Sequence, residues 1–186
     1  ARSGAASAMK ISVVYPDTPA ARLGLQPGDE IIAIDSHEIR DPIDFQFYSA
    51  EESYCLHLRR GGHEWKVNLA PEESGWLGVE FADMEYHSCG NKCVFCFVDQ
   101  NPPGMRKSLY FKDEDYRLSF LYGNYVALTN LSRSHLERIV EQRLSPLYVS
   151  VHSTEDDLRK RMLGLRRSDR LLEKIDFLAR GGIELH

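Results

Sequence analysis

Three cysteines in the run His87-Ser88-Cys89-Gly90-Asn91-Lys92-Cys93-Val94-Phe95-Cys96 constrain this chain more than any other stretch. They read CxxxCxxC, with an aromatic residue just before the last cysteine. Three thiolates on one short loop can ligate three irons of a four-iron, four-sulfur ([4Fe-4S]) cluster, leaving the fourth iron open to a small molecule. A pure electron carrier is normally fully ligated, so an open iron points to binding and cleavage of S-adenosylmethionine (SAM). Two other readings use the same residues. In one, His87 completes a tetrahedral Cys3His zinc site; in the other, it closes the cluster of a fully ligated iron–sulfur electron-transfer protein. Disulfides fit poorly, because the sequence carries no secretory signal or transmembrane run and so implies a reducing cytosol. Cys55 lies in the alternating run Tyr54–Leu58 and reads as an inert buried thiol.

At 186 residues the chain suffices for one good core or two small ones. A formal net charge of −5 argues against a dominant nucleic-acid or membrane-surface role, since no overall positive field attracts phosphates. The clusters Arg159-Lys160-Arg161 and Arg166-Arg167 have acidic neighbours and read as a solvated helix face. Residues 1–8 are small and aperiodic, a disordered leader or tag ahead of Met9.

From Met9 to Ala70 the pattern is strand, short helix, strand, helix, then two strands. The strands fall at Lys10–Tyr15, Glu30–Ile34, Tyr54–Arg59 and Glu64–Leu69, and the helices at Pro19–Leu23 and Pro42–Ala50. The run Thr18-Pro19-Ala20-Ala21-Arg22-Leu23-Gly24-Leu25-Gln26-Pro27-Gly28-Asp29-Glu30-Ile31 resembles bacterial PDZ domains. The resemblance implies a domain that binds an extended peptide at a sheet edge, often through its terminal carboxylate. It equally admits a docking module that binds no free peptide. Two departures stand out: Ser36 occupies a usual turn-glycine position, and no glycine loop precedes the first strand. Gly75-Trp76-Leu77-Gly78-Val79 looks like that loop but follows the last strand.

Residues 71–76 read as a linker, and residues 77–186 alternate between strand and helix. Leu77–Tyr86 leads into the cysteine loop. Strands are expected at Tyr125–Thr129, Leu147–Val151 and Ile183–Leu185. Helices are expected at Ser132–Arg143 and from Glu155 to Ala179, broken near Gly164. Such alternation favours a parallel sheet with active-site groups at the C-terminal strand ends. The run Cys89–Gln100, with Leu109–Asp113 and Tyr116–Tyr125, resembles the PDZ-plus-radical-SAM proteins that carry a domain of unknown function called DUF512. The expected fold is therefore α/β plus a small mixed β domain: an N-terminal PDZ-like domain (9–70) followed by an incomplete radical-SAM (β/α) partial barrel (77–186). Complete barrels of this kind occupy about 250 residues, and the expectation is an N-terminal fragment ending inside a strand.

The resemblance implies a cytoplasmic radical SAM enzyme whose cluster reductively cleaves SAM to give a 5′-deoxyadenosyl radical, with the substrate left open. It implies Cys89, Cys93 and Cys96 as cluster ligands, Phe95 near the adenine, and Thr129-Asn130 as the turn that grips the methionine ammonium. No acidic residue stands at that turn, so a backbone carbonyl or the Asn130 amide would accept the ammonium hydrogens. Gly123-Asn124 is the rival position, or else a hairpin turn. Strand alternation puts Tyr125, Ala127 and Thr129 on one face and Tyr148, Ser150 and His152 on another, making Ser150 and His152 candidate cofactor contacts. Arg106, Lys107 and Arg117 are candidates for a substrate anion, with surface roles as the alternative. Expected partners are a reductant such as flavodoxin or ferredoxin and a peptide ligand of the PDZ-like domain, with no nucleic acid and no membrane. The alternative from another class is a PDZ adaptor with a structural zinc site.

Overall fold

The computed structural model describes residues 8–70, 73 and 75–186. The expected leader, Ala8 apart, therefore lies outside the described residues, as do Pro71, Glu72 and Ser74 of the expected linker. The chain forms two compact units that meet in sequence between Glu85 and Tyr86.

In unit 1 the elements are β1 (Met9–Val14), α1 (Pro19–Arg22), β2 (Glu30–Ile34), β3 (His37–Glu38), α2 (Pro42–Tyr48), β4 (Tyr54–Arg60), β5 (His63–Leu69) and β6 (Val79–Phe81). The sheet runs β5-β4-β2-β1-β6, with β3 paired to β2. Every pairing in it is antiparallel. Period-two alternation drives Ile11, Leu56 and Leu58 inward, and a register shift in β2 brings both Ile31 and Ile34 with them, into a core closed by Ala20, Leu25, Leu69 and Leu77. Both helices start on a side-chain cap followed by proline. Thr18 Oγ1 accepts the Ala21 amide at 3.4 Å, and Asp41 Oδ1 accepts those of Ile43 and Asp44 at 3.1 Å each. Asp29 is buried and held by Arg60 (Nη2–Oδ2 2.7 Å) and by the Gln26 amide (2.8 Å).

Two sequence expectations change in this unit. The β2–β3 turn needs no glycine at Ser36, because Asp35 takes the left-handed position at φ 52°, which short polar side chains tolerate. Leu77–Tyr86 was expected to open the second domain, with its boundary at 77. Instead Leu77 is in the core of unit 1 and Val79–Phe81 pairs with β1. Gly78 permits this docking: at φ +83°, its absent Cβ would lie 2.2 Å from Thr18 Cβ. The Tyr15 and Ala20 amides then reach the Gly78 and Leu77 carbonyls at 2.9 Å each.

Unit 2 contains the cysteine loop, α3 (Tyr116–Tyr122), β7 (Tyr125–Val126), α4 (Arg133–Glu141), β8 (Tyr148–Val149), α5 (Asp156–Leu163) and α6 (Leu171–Arg180). Strands β7 and β8 are parallel, and a parallel bridge joins Leu147 to Leu185. Buried Val126, Leu136, Ile139, Leu147, Leu178 and Ile183 form the apolar side. Tyr125, Tyr148 and His186 make an aromatic row, with ring centroids 5.7 and 5.2 Å apart. The expected β/α order is present with shorter strands, and the structure adds α3, which the sequence expectation lacks.

Candidate cluster and cofactor site

The cysteine loop is docked at two places. At its start, Cys89 N–H donates to Lys112 O at 2.7 Å, and Ser88 bridges Asp113. In its middle, the Lys92 and Val94 amides donate to Leu163 and Met162 carbonyls at the C-terminus of α5, 3.0 Å each. Those carbonyls have no partner within the helix and would otherwise be orphaned. Gly164 makes the approach possible. It caps α5 at φ +65°, and a Cβ there would lie 2.7 Å from Lys92 O.

Cys89, Cys93 and Cys96 are half-buried free thiols. Burial pushes the Cys89 thiol up, opposed by a hydrogen bond from the Asn91 amide and by the Lys112 charge. Burial likewise raises Cys93, and the charges of Cys89 and Cys96 add to the effect. Lys112 sits beside Cys96 and pairs with Asp99 at 2.7 Å. This all-sulfur donor set, with an amide and an ammonium offsetting thiolate charge, fits an iron–sulfur cluster. Among the described residues no group of three or more His, Cys, Asp or Glu side chains converges on a single ion. A cubane makes no such demand, because its thiolates bind separate irons. His87 turns elsewhere: its amide donates to Asp115 at 2.8 Å, and its ring lies 5.7 Å from that of His135.

Phe95 and His152, named separately in the sequence, meet at a ring-centroid distance of 4.6 Å. His152 has φ 59°, and burial, then the Arg159 charge, lowers its pKa. The Thr129 hydroxyl donates to Asn91 Oδ1 at 3.0 Å, so the turn after β7 is tied directly to the cysteine loop. Asn130 Nδ2 donates to the Glu114 carbonyl at 2.7 Å. Ser150 contributes its backbone, donating to Val126 O at 2.9 Å. Gly123-Asn124 lies at the other end of β7. It is no hairpin: Gly123 is the left-handed C-cap of α3, and Asn124 Nδ2 donates to Asp113 Oδ2 at 2.9 Å.

Several charged residues have gone inside, Arg117 and Arg159 against expectation. Arg117 is buried against Asp115 (Nη2–Oδ2 2.6 Å), whereas Arg106 and Lys107 are exposed. Arg159, read as part of a solvated face, is 1 % exposed. Its guanidinium pairs with Asp169 (2.8 Å) and donates to the carbonyls of Ala127 (2.6 Å) and Val151. The Ala127 carbonyl lies just past β7, where the strand would leave it unpaired, and the Val151 carbonyl beyond β8 also accepts from the Ser153 amide at 2.7 Å. Glu114, absent from the sequence candidates, is also buried. Burial raises its carboxyl, while the amides of Ala127, Thr129 and Leu128 and the Arg159 charge pull it down. Lys174 Nζ holds the Leu128 carbonyl at 2.5 Å, and burial lowers its pKa. Both Glu114 and Asp115 turn inward; Asp115 caps α3, whereas no local pattern marks Glu114. Cys55, expected to be buried, is half-buried.

A family model for the radical SAM-like domain matches residues 71–186, and one for the PDZ domain matches residues 10–53. The chain is similar to the probable cell division topological determinant MinJ of Lacticaseibacillus paracasei and of Lacticaseibacillus casei strain BD-II. In both cases it is 35% identical over 72 residues, covering 34% of this chain and 20% of the relative. The chain thus spans a fifth of the length of these curated relatives. Solved PDZ domains of SdrC-like proteins give 18% identity each. That of Listeria monocytogenes covers 40% of this chain and 87% of its own (TM-score 0.34), and that of Listeria innocua 43% and 99% (TM-score 0.36). No helix among the described residues is long and apolar enough to cross a membrane. Over most of its length, from residue 71 onward, the chain belongs to the radical SAM-like family, and it carries a PDZ domain ahead of that region.

Proposed function

We propose that Cys89, Cys93 and Cys96 hold a [4Fe-4S] cluster whose open iron takes SAM, and that the protein is a radical SAM enzyme of the cytoplasm. The observation that carries this reading is the docked loop of three free thiols, joined by the Asn91–Thr129 bond to the turn after β7. When bound, the cluster and SAM supply one-electron reductive cleavage of the sulfonium.

The chain's own residues do the rest. Loop docking on α5 fixes the spacing of the three thiols before metal arrives. The Asn91 amide and Lys112 offset negative charge on Cys89 and Cys96. The Phe95–His152 pair offers an aromatic face for the adenine. Asn130 supplies an acceptor for the methionine ammonium, and Ser150 borders the same strand ends. The four free thiols suit a reducing compartment, and a flavodoxin or ferredoxin is the natural class of reductant. In this reading, residues 86–186 form part of a (β/α) barrel.

Replacing any one of Cys89, Cys93 or Cys96 by alanine is expected to abolish reductive SAM cleavage and lower bound iron and sulfide. Cleavage retained in any of the three variants overturns the ligand assignment. Zinc in place of iron would favour the adaptor, and a cluster indifferent to SAM the electron carrier.

A second binding activity rests on unit 1. A groove of about 360 Å³ lies between α2 and β6, lined by Phe45, Gln46, Trp76, Gly78, Val79 and Phe81. Strand β6 ends the sheet order, so an extended peptide can add to its edge with its carboxylate at the Gly75–Gly78 turn. Titrating a labelled peptide library with free and amidated C-termini tests this. Binding that ignores amidation, or no binding, counts against it.

A further inference from the structure

The turn after β7 closes on a buried acid. The Thr129 amide donates to Glu114 Oε1 at 3.2 Å, and Leu128, at φ 60°, turns the chain there. The Glu114 side chain is only 4 % exposed, and this amide offsets part of its lost hydration.

The same residue acts a second time through its main chain. The Glu114 carbonyl accepts from Asn130 Nδ2. A carbonyl oxygen can face only the NH2 end of an amide, so Asn130 Oδ1 is the end left to accept. The other side of the turn is also held, the Ala127 carbonyl by Arg159 and the Leu128 carbonyl by Lys174. The Thr129 hydroxyl then carries this fixed frame to Asn91 in the cysteine loop.

We propose that Glu114 is a positioning residue for the SAM site: its carboxylate sets the 127–129 turn, its carbonyl points Asn130 Oδ1 at the methionine ammonium, and the Thr129–Asn91 bond keeps that acceptor in register with the cluster loop. This inference rests on Thr129-Asn130 being the methionine end of the site. Glu114 touches neither substrate nor cofactor in this role. Its loss is felt as weaker cofactor binding with the cluster retained.

The test uses the full chain, reconstituted anaerobically, as wild type, Glu114→Gln, Thr129→Val and the core control Ile139→Val. Iron and sulfide content, unfolding midpoint and SAM affinity are read for each. Affinity is taken from titration of the reduced cluster's electron paramagnetic resonance signal. Glu114→Gln and Thr129→Val are expected to retain the cluster and lose at least tenfold in SAM affinity, with Ile139→Val unaffected. Affinity within twofold of wild type in Glu114→Gln overturns the proposal, as does an equal loss in Ile139→Val. If Glu114→Gln does not fold, Thr129→Val decides by the same criterion. A wild-type cluster that ignores SAM defeats the underlying site reading and the inference with it. Wild-type binding with unchanged variants defeats the inference alone.

Discussion

Gly164→Ala isolates what docking the cysteine loop on α5 is worth. A residue with a Cβ at φ +65° costs about 1–2 kcal/mol in the left-handed region. The new methyl would also lie 2.7 Å from Lys92 O and 2.9 Å from Lys92 Cβ. That clash is relieved by lifting the loop, which breaks the Lys92–Leu163 and Val94–Met162 hydrogen bonds at about 0.5–1.5 kcal/mol each. The sum is about 2–5 kcal/mol, against a whole-domain stability of about 5–15 kcal/mol. Gly182→Ala is the internal control, because at φ +79° it meets nothing within 4 Å and carries only the strain. The difference, about 1–3 kcal/mol, corresponds to a roughly 5- to 150-fold loss of hydrogen-exchange protection at the Lys92 and Val94 amides. Bound iron and sulfide after reconstitution are expected to fall in Gly164→Ala and to hold in Gly182→Ala. Equal behaviour of the two variants in exchange and in cluster content would refute the docking argument.

The remaining predictions address both units. Gly78→Ala places a Cβ 2.2 Å from Thr18 Cβ, so β6 should detach from β1 and the unit 1 melting midpoint should fall; an unchanged midpoint would remove Gly78 from that role. Burial alone would raise the Asp29 carboxyl, but the Arg60 hydrogen bonds, the Gln26 amide and the Arg60 charge hold it below the usual carboxylate range. Its contribution is therefore complete above the unfolded carboxylate pKa and disappears as pH falls through the lower folded pKa. Melting midpoints measured against pH should show a shallower acid decline in Asp29→Asn, and parallel curves would count against this. Arg159→Met removes the guanidinium from Asp169 and from the carbonyls beyond β7 and β8, a loss of about 3–5 kcal/mol for a broken buried pair. Urea unfolding of unit 2 measures it, and a loss below about 1 kcal/mol would place Arg159 in the class of surface ion pairs.

What could be read from the sequence divides along physical lines. Unit 1 is legible because its order is carried by local signals: the Thr18-Pro19 and Pro42 helix starts, the apolar run Glu30–Ile34 and alternation in Tyr54–Arg59. Leu77–Phe81 was misassigned because its pairing with β1 spans more than sixty residues of chain and depends on a glycine fitting against Thr18. In the site, the cysteine spacing is a contiguous motif and therefore visible. Phe95, Thr129 and His152 followed from the resemblance and from strand alternation, although nothing in their sequence neighbourhoods says which residues they meet. Glu114 and Lys174 carry no signal in the sequence, and Arg159 reads as a solvated face, because each looks like a surface charge along the chain. Their roles come from backbone groups around the strand ends, which they meet only once β7 and β8 lie side by side.

The most direct test of the account is electron paramagnetic resonance of the anaerobically reconstituted, reduced protein with and without SAM. The account predicts a [4Fe-4S] spectrum that changes on adding SAM, because three cysteines leave one iron for the cofactor. A cluster spectrum indifferent to SAM, or zinc bound with no cluster formed, would contradict it.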